Sequence, residues 1–114
     1  MVNHDMRDEA GVRVLSLQGP IDVSQAMDLR EVLGQQIDGP AARVVLDLTD
    51  VTFIDSSGIG VLVTAHRTAD AAGAMLALAG ARTTVGRVFE LTRTNRLLRI
   101  YPTVDEAVTA LRAP

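Results

Sequence analysis

Val51-Thr52-Phe53-Ile54-Asp55-Ser56-Ser57-Gly58-Ile59-Gly60-Val61-Leu62 is the stretch on which the reading of the chain turns. The run before it, Arg43-Val44-Val45-Leu46-Asp47-Leu48, is short and nearly continuously apolar, as expected of a strand buried on both faces. Thr49 to Asp55 then reads as a link, and a helix is predicted from near Ser57 to about Ala72, closed by Gly73. Two serines thus stand where a helix starts. Backbone N–H groups there lack intrahelical partners, and the helix dipole favours negative charge. Ser56 reads best as a simple helix cap. At about 100° per residue, Gly60, Val61, Thr64, Arg67 and Thr68 share the face of Ser57. Ile59, Leu62, Val63 and Ala69 form the opposite stripe, which faces the core. Small residues around the Ser57 hydroxyl let a second protein approach it closely. They suit helix-on-sheet packing equally well, and spacing alone does not choose between the two.

Working towards the N-terminus, Val12-Arg13-Val14-Leu15-Ser16-Leu17 alternates loosely and is predicted as a strand. Val2 to Asp8 pairs with it as a hairpin across Ala10-Gly11, and Gly19-Pro20 ends the strand. Asp22 with Gln25 three residues on makes a capping box. The helix it opens carries Ala26, Leu29, Leu33 and Ile37 on one side, with Arg30, Glu31 and Gln35 pointing away, and stops at Gly39-Pro40. Towards the C-terminus, Met75 to Leu78 is a third apolar run too short for a helix. Val85, Val88, Phe89 and Leu91-Thr92 predict a further helix, and Leu98 to Tyr101 a last strand. Thr103 caps a final helix bearing Val104, Ala107, Val108 and Leu111. Strands alternating with helices after an opening hairpin imply a single α/β domain. The expected sheet is mixed, mostly parallel, with four to five strands and about four helices.

Composition removes several functions. The chain has 114 residues, 47% apolar, enough for one core. With no cysteine, disulfides and thiolate metal sites are out, and two separated histidines, His4 and His66, make no metal set. Asp47, Asp50 and Asp55 are close in sequence but read as ordinary solvated carboxylates. All eleven basic residues are arginine, so lysine-dependent chemistry is excluded. A net charge of −3, no basic stripe and three aromatic residues give nucleic-acid binding little support. The charged start, Met-Val-Asn-His-Asp-Met-Arg-Asp-Glu, is unlike a signal peptide, and no uncharged stretch reaches the ~20 residues of a membrane span. The expectation is a cytoplasmic protein without membrane contact.

Phe53-Ile54-Asp55-Ser56-Ser57-Gly58-Ile59-Gly60 resembles the signature of the STAS domain, specifically that of bacterial anti-sigma factor antagonists. The resemblance extends over nearly the whole chain, as one domain over 1–114. Leu17-Gln18-Gly19-Pro20-Ile21-Asp22 is similar to the family's strand-ending Gly-x-x-Asp element, and Val44-Val45-Leu46-Asp47-Leu48 to its central strand. Val88-Phe89-Glu90-Leu91-Thr92 with Arg96-Leu97-Leu98 is similar to its third-helix region. The resemblance implies that Ser57 is a phosphoacceptor and that the chain is no enzyme and needs no cofactor. The unphosphorylated form would bind an anti-sigma factor that is also a serine kinase of the histidine-kinase-like ATPase fold, freeing the sigma factor. Phosphorylation would end that contact, and a PP2C-type phosphatase would reset it. The implied partner-binding residues are Asp22, Asp55, Ser56, Ser57, Gly58, Gly60, Val61 and Thr64. Two departures bear on partner choice: Pro20 stands where an acidic residue is frequent, and Arg93-Thr94 where a Gly-Leu pair is common. Without that glycine, Arg93 or Asn95 is expected to take the left-handed conformation.

Other functions fare worse on the residues. A hydrolase built on Ser57 needs a base. His66 lies nine residues along the same helix on its far side, beside Asp70 at i+4, and no G-x-S-x-G elbow is present. A response-regulator receiver needs a lysine and an acidic pair that are absent. Gly58-Ile59-Gly60 is neither a full G-x-G-x-x-G nor a G-x-x-x-x-G-K, which leaves only weak nucleotide binding at that helix end. The alternative is a STAS scaffold or sensory-complex module unlinked to a sigma factor, which should self-assemble.

Overall fold

The protein is described by a computed structural model covering residues 2–112. The element order is β1 (Asn3–Glu9), β2 (Val12–Ile21), α1 (Val23–Gln36), β3 (Arg43–Ile54), α2 (Ser56–Ala71), β4 (Met75–Ala79), α3 (Thr83–Leu91), a 3₁₀ turn (Thr94–Arg96), β5 (Arg99–Tyr101) and α4 (Val104–Leu111). The five strands form one sheet in sequence order. β1 is antiparallel to β2, and the remaining pairs are parallel. Ala10 and Gly11 turn the opening hairpin with φ of 53° and 82°, both positive as a tight two-residue connection requires.

The sheet is covered on both faces. Val44, Leu46 and Leu48 of β3 join Leu15, Leu17, Leu29, Leu33, Leu62 and Phe89 in the larger core, under α1, α2 and α3. Val45 turns the other way, with Val12, Val14, Ala77 and Ala79, against Ala107, Val108 and Leu111 of α4. The unbroken apolar run in β3 is therefore the mark of a central strand with helices on either side.

Two strands run further than the sequence suggests. β2 does not stop at Gly19-Pro20 but continues to Ile21, and β3 continues past Leu48 to Ile54, so Thr49 to Ile54 is strand rather than link. The cause is mutual. Gln18 pairs with Asp50, Gly19 with Val51, Pro20 with Phe53 and Ile21 with Ile54, while Ile21, Val51 and Ile54 are buried. Proline is tolerated because the pairing of β1 reaches only as far as Gln18, and beyond it the outer side of β2 has no partner among the described residues. Register shifts at Ser16/Gln18 and Gly19/Pro20, with Gly19 at φ 83°, absorb the irregularity. The same extension puts Asp50 inside β3.

The remaining elements follow the sequence closely. Arg93 takes the left-handed conformation after α3, with φ 60°. Thr103 caps α4, its hydroxyl accepting from the Glu106 N–H at 3.1 Å. His4 lies in β1 with Nδ1 3.1 Å from the Val2 carbonyl.

The two large residues near the end of α3 make a test of which face carries the packing. Phe89 is 1% exposed and Leu91 77%. Phe89→Ala should cost about 3–5 kcal/mol and Leu91→Ala under about 0.5 kcal/mol, read from urea unfolding midpoints.

Candidate functional site

The paired ends of β2 and β3 release the chain at neighbouring points of one sheet edge, and a helix begins at each. After Ile21, Asp22 caps α1. Its Oδ1 accepts from the Ser24 N–H at 2.9 Å and the Ser24 hydroxyl at 2.6 Å, while Gln25 Oε1 accepts from the Asp22 N–H at 3.4 Å. The Ser24 hydroxyl, then its N–H, hold the Asp22 carboxyl below the ordinary carboxylate range. After Ile54, Asp55 caps α2, with Oδ1 accepting from the Gly58 N–H at 3.1 Å. Its own N–H donates to the Ile21 carbonyl at 3.2 Å, tying the start of α2 to the end of β2.

The sequence reading had Ser56 as the cap. Asp55 takes that place, one residue earlier, and Ser56 is the first helical residue, exposed. A charged carboxylate is the stronger acceptor for an N–H at a helix end. Asp55 satisfies Gly58, and the Ile59 N–H is bound by the Asp55 carbonyl at 3.0 Å. The N–H groups of Ser56 and Ser57 are left without an acceptor among the described residues. The Ser57 hydroxyl, half-buried, is likewise unpaired among them.

Gly58 and Gly60 differ sharply. A Cβ on Gly58 would lie 2.8 Å from Ile54 Cγ1, 2.9 Å from Ile21 Cγ2 and 2.9 Å from the Ile21 carbonyl oxygen. Gly58 is buried and lets α2 seat against the paired strand ends, so its place in the structure is one of packing. Nothing lies within 4 Å of a Cβ on Gly60, which is exposed. Ser57, Gly60, Val61 and Thr64 line one shallow concavity of about 320 Å³, closed on the far side by Arg30 of α1. Val61, Thr64 and Thr68 continue into the adjoining one, against Leu33, Gly34 and Ile37. Arg67 is exposed and borders neither.

The opposite side of α2 buries Ile59, Leu62, His66 and Ala69, with Val63 only half-buried. His66 Nε2 meets Asp70 Oδ2 at 3.4 Å, and Asp70 Oδ1 accepts from Arg99 at 3.0 Å. The histidine thus sits on the core side, away from the face of Ser57. Among the described residues no group of three His, Cys, Asp or Glu converges as a metal ion would need. No helix among them is long and apolar enough to cross a membrane.

Of the residues singled out in the sequence, the structure brings Ser57, Gly60, Val61 and Thr64 together and sets Asp22 and Asp55 behind them as caps. The helical pattern of α1 predicts for Arg30 only that it points away from the core. Its place opposite Ser57 depends on how α1 packs on α2, which no local pattern encodes.

Residues 3–107 match the STAS domain. The chain belongs to the STAS family. A Thermotoga maritima protein named as an anti-sigma factor antagonist is 36% identical over 70 residues, 61% of this chain and 62% of that relative, so the match spans under two thirds of its length. The anti-sigma-F factor antagonist RsfB of Mycobacterium tuberculosis is 32% identical over 106 residues, covering 92% of this chain and 85% of RsfB. The crystal structure of an anti-sigma factor antagonist from Mycobacterium paratuberculosis superposes with a TM-score of 0.85 at 29% identity, covering 99% of this chain and 96% of the other.

Gly58→Ala should destabilise by about 1–3 kcal/mol through overpacking. Gly60→Ala should stabilise by about 0.5–1 kcal/mol by restricting the unfolded chain, both read by chemical denaturation. Because the folded Asp22 carboxyl titrates below its unfolded value of 3.8, its ionised form stabilises the fold above that pH, and the contribution is lost as pH falls through the folded value. Asp22→Asn keeps a good cap but removes the charge. The stability gap between wild type and this variant should therefore be constant above about pH 5 and close as pH drops below about 4.

Proposed function

We propose that this STAS domain is a cytoplasmic anti-sigma factor antagonist whose binding face is the Ser57 side of α2. In this reading the unmodified chain docks an anti-sigma factor that is itself a serine kinase of the histidine-kinase-like ATPase fold, and so releases a sigma factor. The observation that carries it is the unpaired, half-buried Ser57 hydroxyl at the start of α2, on a face kept low by Gly60. The relatives named as anti-sigma factor antagonists support it. Asp22 and Asp55 hold the two helix starts in place behind that face, Ser56 stands beside Ser57 at its rim, and Val61 and Thr64 extend it along the α1–α2 seam.

The switch is a phosphoryl transfer. Ser57 Oγ forms a bond to the γ-phosphorus of ATP, the bond to the ADP oxygen breaks, and the hydroxyl proton leaves to solvent. The product carries roughly −1.5 to −2 charges at neutral pH. Within the domain it is tolerated. The helix start and its two unpaired N–H groups favour it by about 0.3–1 kcal/mol, and the Asp55 carboxylate opposes it. A docked partner must desolvate it, and a penalty of about 3 kcal/mol there is about a hundredfold in affinity. A PP2C-type phosphatase restores the serine. The chain itself acts by binding, without nucleic-acid or membrane contact.

The test uses the purified chain as bait in bacterial lysate, beside Ser57→Ala and Ser57→Asp, with retained proteins identified by mass spectrometry. The unmodified and Ala baits should hold a histidine-kinase-like ATPase that the Asp bait loses. Retention of the same proteins by all three, or of no ATPase, sinks sigma regulation. Self-assembly in place of ATPase capture would favour the scaffold role instead.

A further inference from the structure

Arg30 reaches the site from the neighbouring helix. It borders the concavity that Ser57, Gly60, Val61 and Thr64 line, and it borders the adjoining one as well, with Val61 and Thr64 common to both. Arg30 thus meets α2 at the level of Val61 and Thr64, about one and two helical turns beyond Ser57. It is exposed, and its guanidinium makes no hydrogen bond or ion pair with any described residue. By contrast, Arg7 pairs with Glu9, Arg13 with Asp38 and Arg99 with Asp70. Gly60, in the same concavity, adds no side chain, and a Cβ there would meet nothing within 4 Å.

We propose that Arg30 is the counter-charge for a phosphate on Ser57, drawing it down over the α1–α2 seam. The claim rests on the reading of Ser57 as phosphoacceptor and adds how the modified state is held. Among the described residues, Arg30 is the one cation lining the concavity that holds Ser57. Its planar fork matches phosphate oxygens bidentately. Asp55, two residues back, repels the phosphate, and neither it nor Asp22, both engaged as caps, lines that concavity. The low-energy orientation of a phosphoserine side chain is thus away from the sheet edge and towards Arg30. Phosphorylation then changes the face twice over. It adds an anion at Ser57 and withdraws the guanidinium that the unmodified face presents to a partner. Ser57→Asp supplies a shorter, singly charged group, and it leaves Arg30 freer than phosphoserine does.

The test installs phosphoserine at position 57 during synthesis, so that no kinase is needed, and follows the second phosphate ionisation by 31P NMR. With Arg30 in place that ionisation should occur about half a pH unit lower than in Arg30→Met, with the gap shrinking in high salt. Arg30→Lys should restore part of the shift. Arg87→Met, which removes an exposed arginine bordering a different concavity, should leave the titration unchanged. Arg30 and its replacements are good helix formers at an exposed position, so all variants should fold, as circular dichroism would verify. Identical titrations with Arg30 and with Met, or an equal effect from Arg87→Met, overturn the proposal. The serine reading fails separately, if the captured ATPase with ATP leaves Ser57 unlabelled in the unmodified chain.

Discussion

The parallel ladder between β2 and β3 continues beyond the point where β1 stops, and the rest of the site depends on that continuation. Pairing of Ile21 with Ile54 delivers Asp22 and Asp55 side by side at one sheet edge, and the Asp55 N–H bond to the Ile21 carbonyl locks the second helix start to the first strand. Gly58 then sits directly on the two isoleucines, where any Cβ would come within 3 Å of both side chains. Had β3 ended at Leu48, α2 would begin from a free link. The Ser57 hydroxyl would then have no fixed position relative to α1.

Each cap leaves something for the site. Asp55 uses its carboxylate on Gly58 and its carbonyl on Ile59, so the N–H groups of Ser56 and Ser57 find no acceptor among the described residues, at a helix end that favours negative charge. Asp22 spends its carboxylate on Ser24. Asp22 and Asp55 are thereby engaged in structure, whereas Arg30, across the seam, has no partner among the described residues. In the proposed switch only the Ser57 oxygen changes, from hydroxyl to phosphate ester, while the caps and the glycine contact stay as they are.

Much of this was legible in the sequence because local signals and packing agree. The capping box at Asp22, the hairpin at Ala10-Gly11, the Thr103 cap and the doubly buried Val44-Val45-Leu46 run each rest on short-range rules that the tertiary structure also satisfies. The strand extensions were hidden because Gly19-Pro20 is a strong local stop, overridden only by the pairing of β2 with β3 where β1 no longer competes. The cap at α2 was misplaced by one residue because Asp55, Ser56 and Ser57 are all capable acceptors; the strand's length decides among them. Gly58 and Gly60 look alike in the sequence. Only the contact with Ile21 and Ile54 separates the glycine that packs from the glycine that leaves space, and only helix pairing brings Arg30 to the serine.

The central claim is that modification of Ser57 acts on a docked partner and leaves the domain's own fold intact. The most direct measurement is calorimetric titration of the captured ATPase with unmodified and with phosphoserine-57 protein, alongside urea unfolding of the same two samples. The account predicts an affinity loss of about a hundredfold with a change in unfolding free energy within about 1 kcal/mol. Equal affinities, or an affinity loss matched by an equal loss of fold stability, would contradict it.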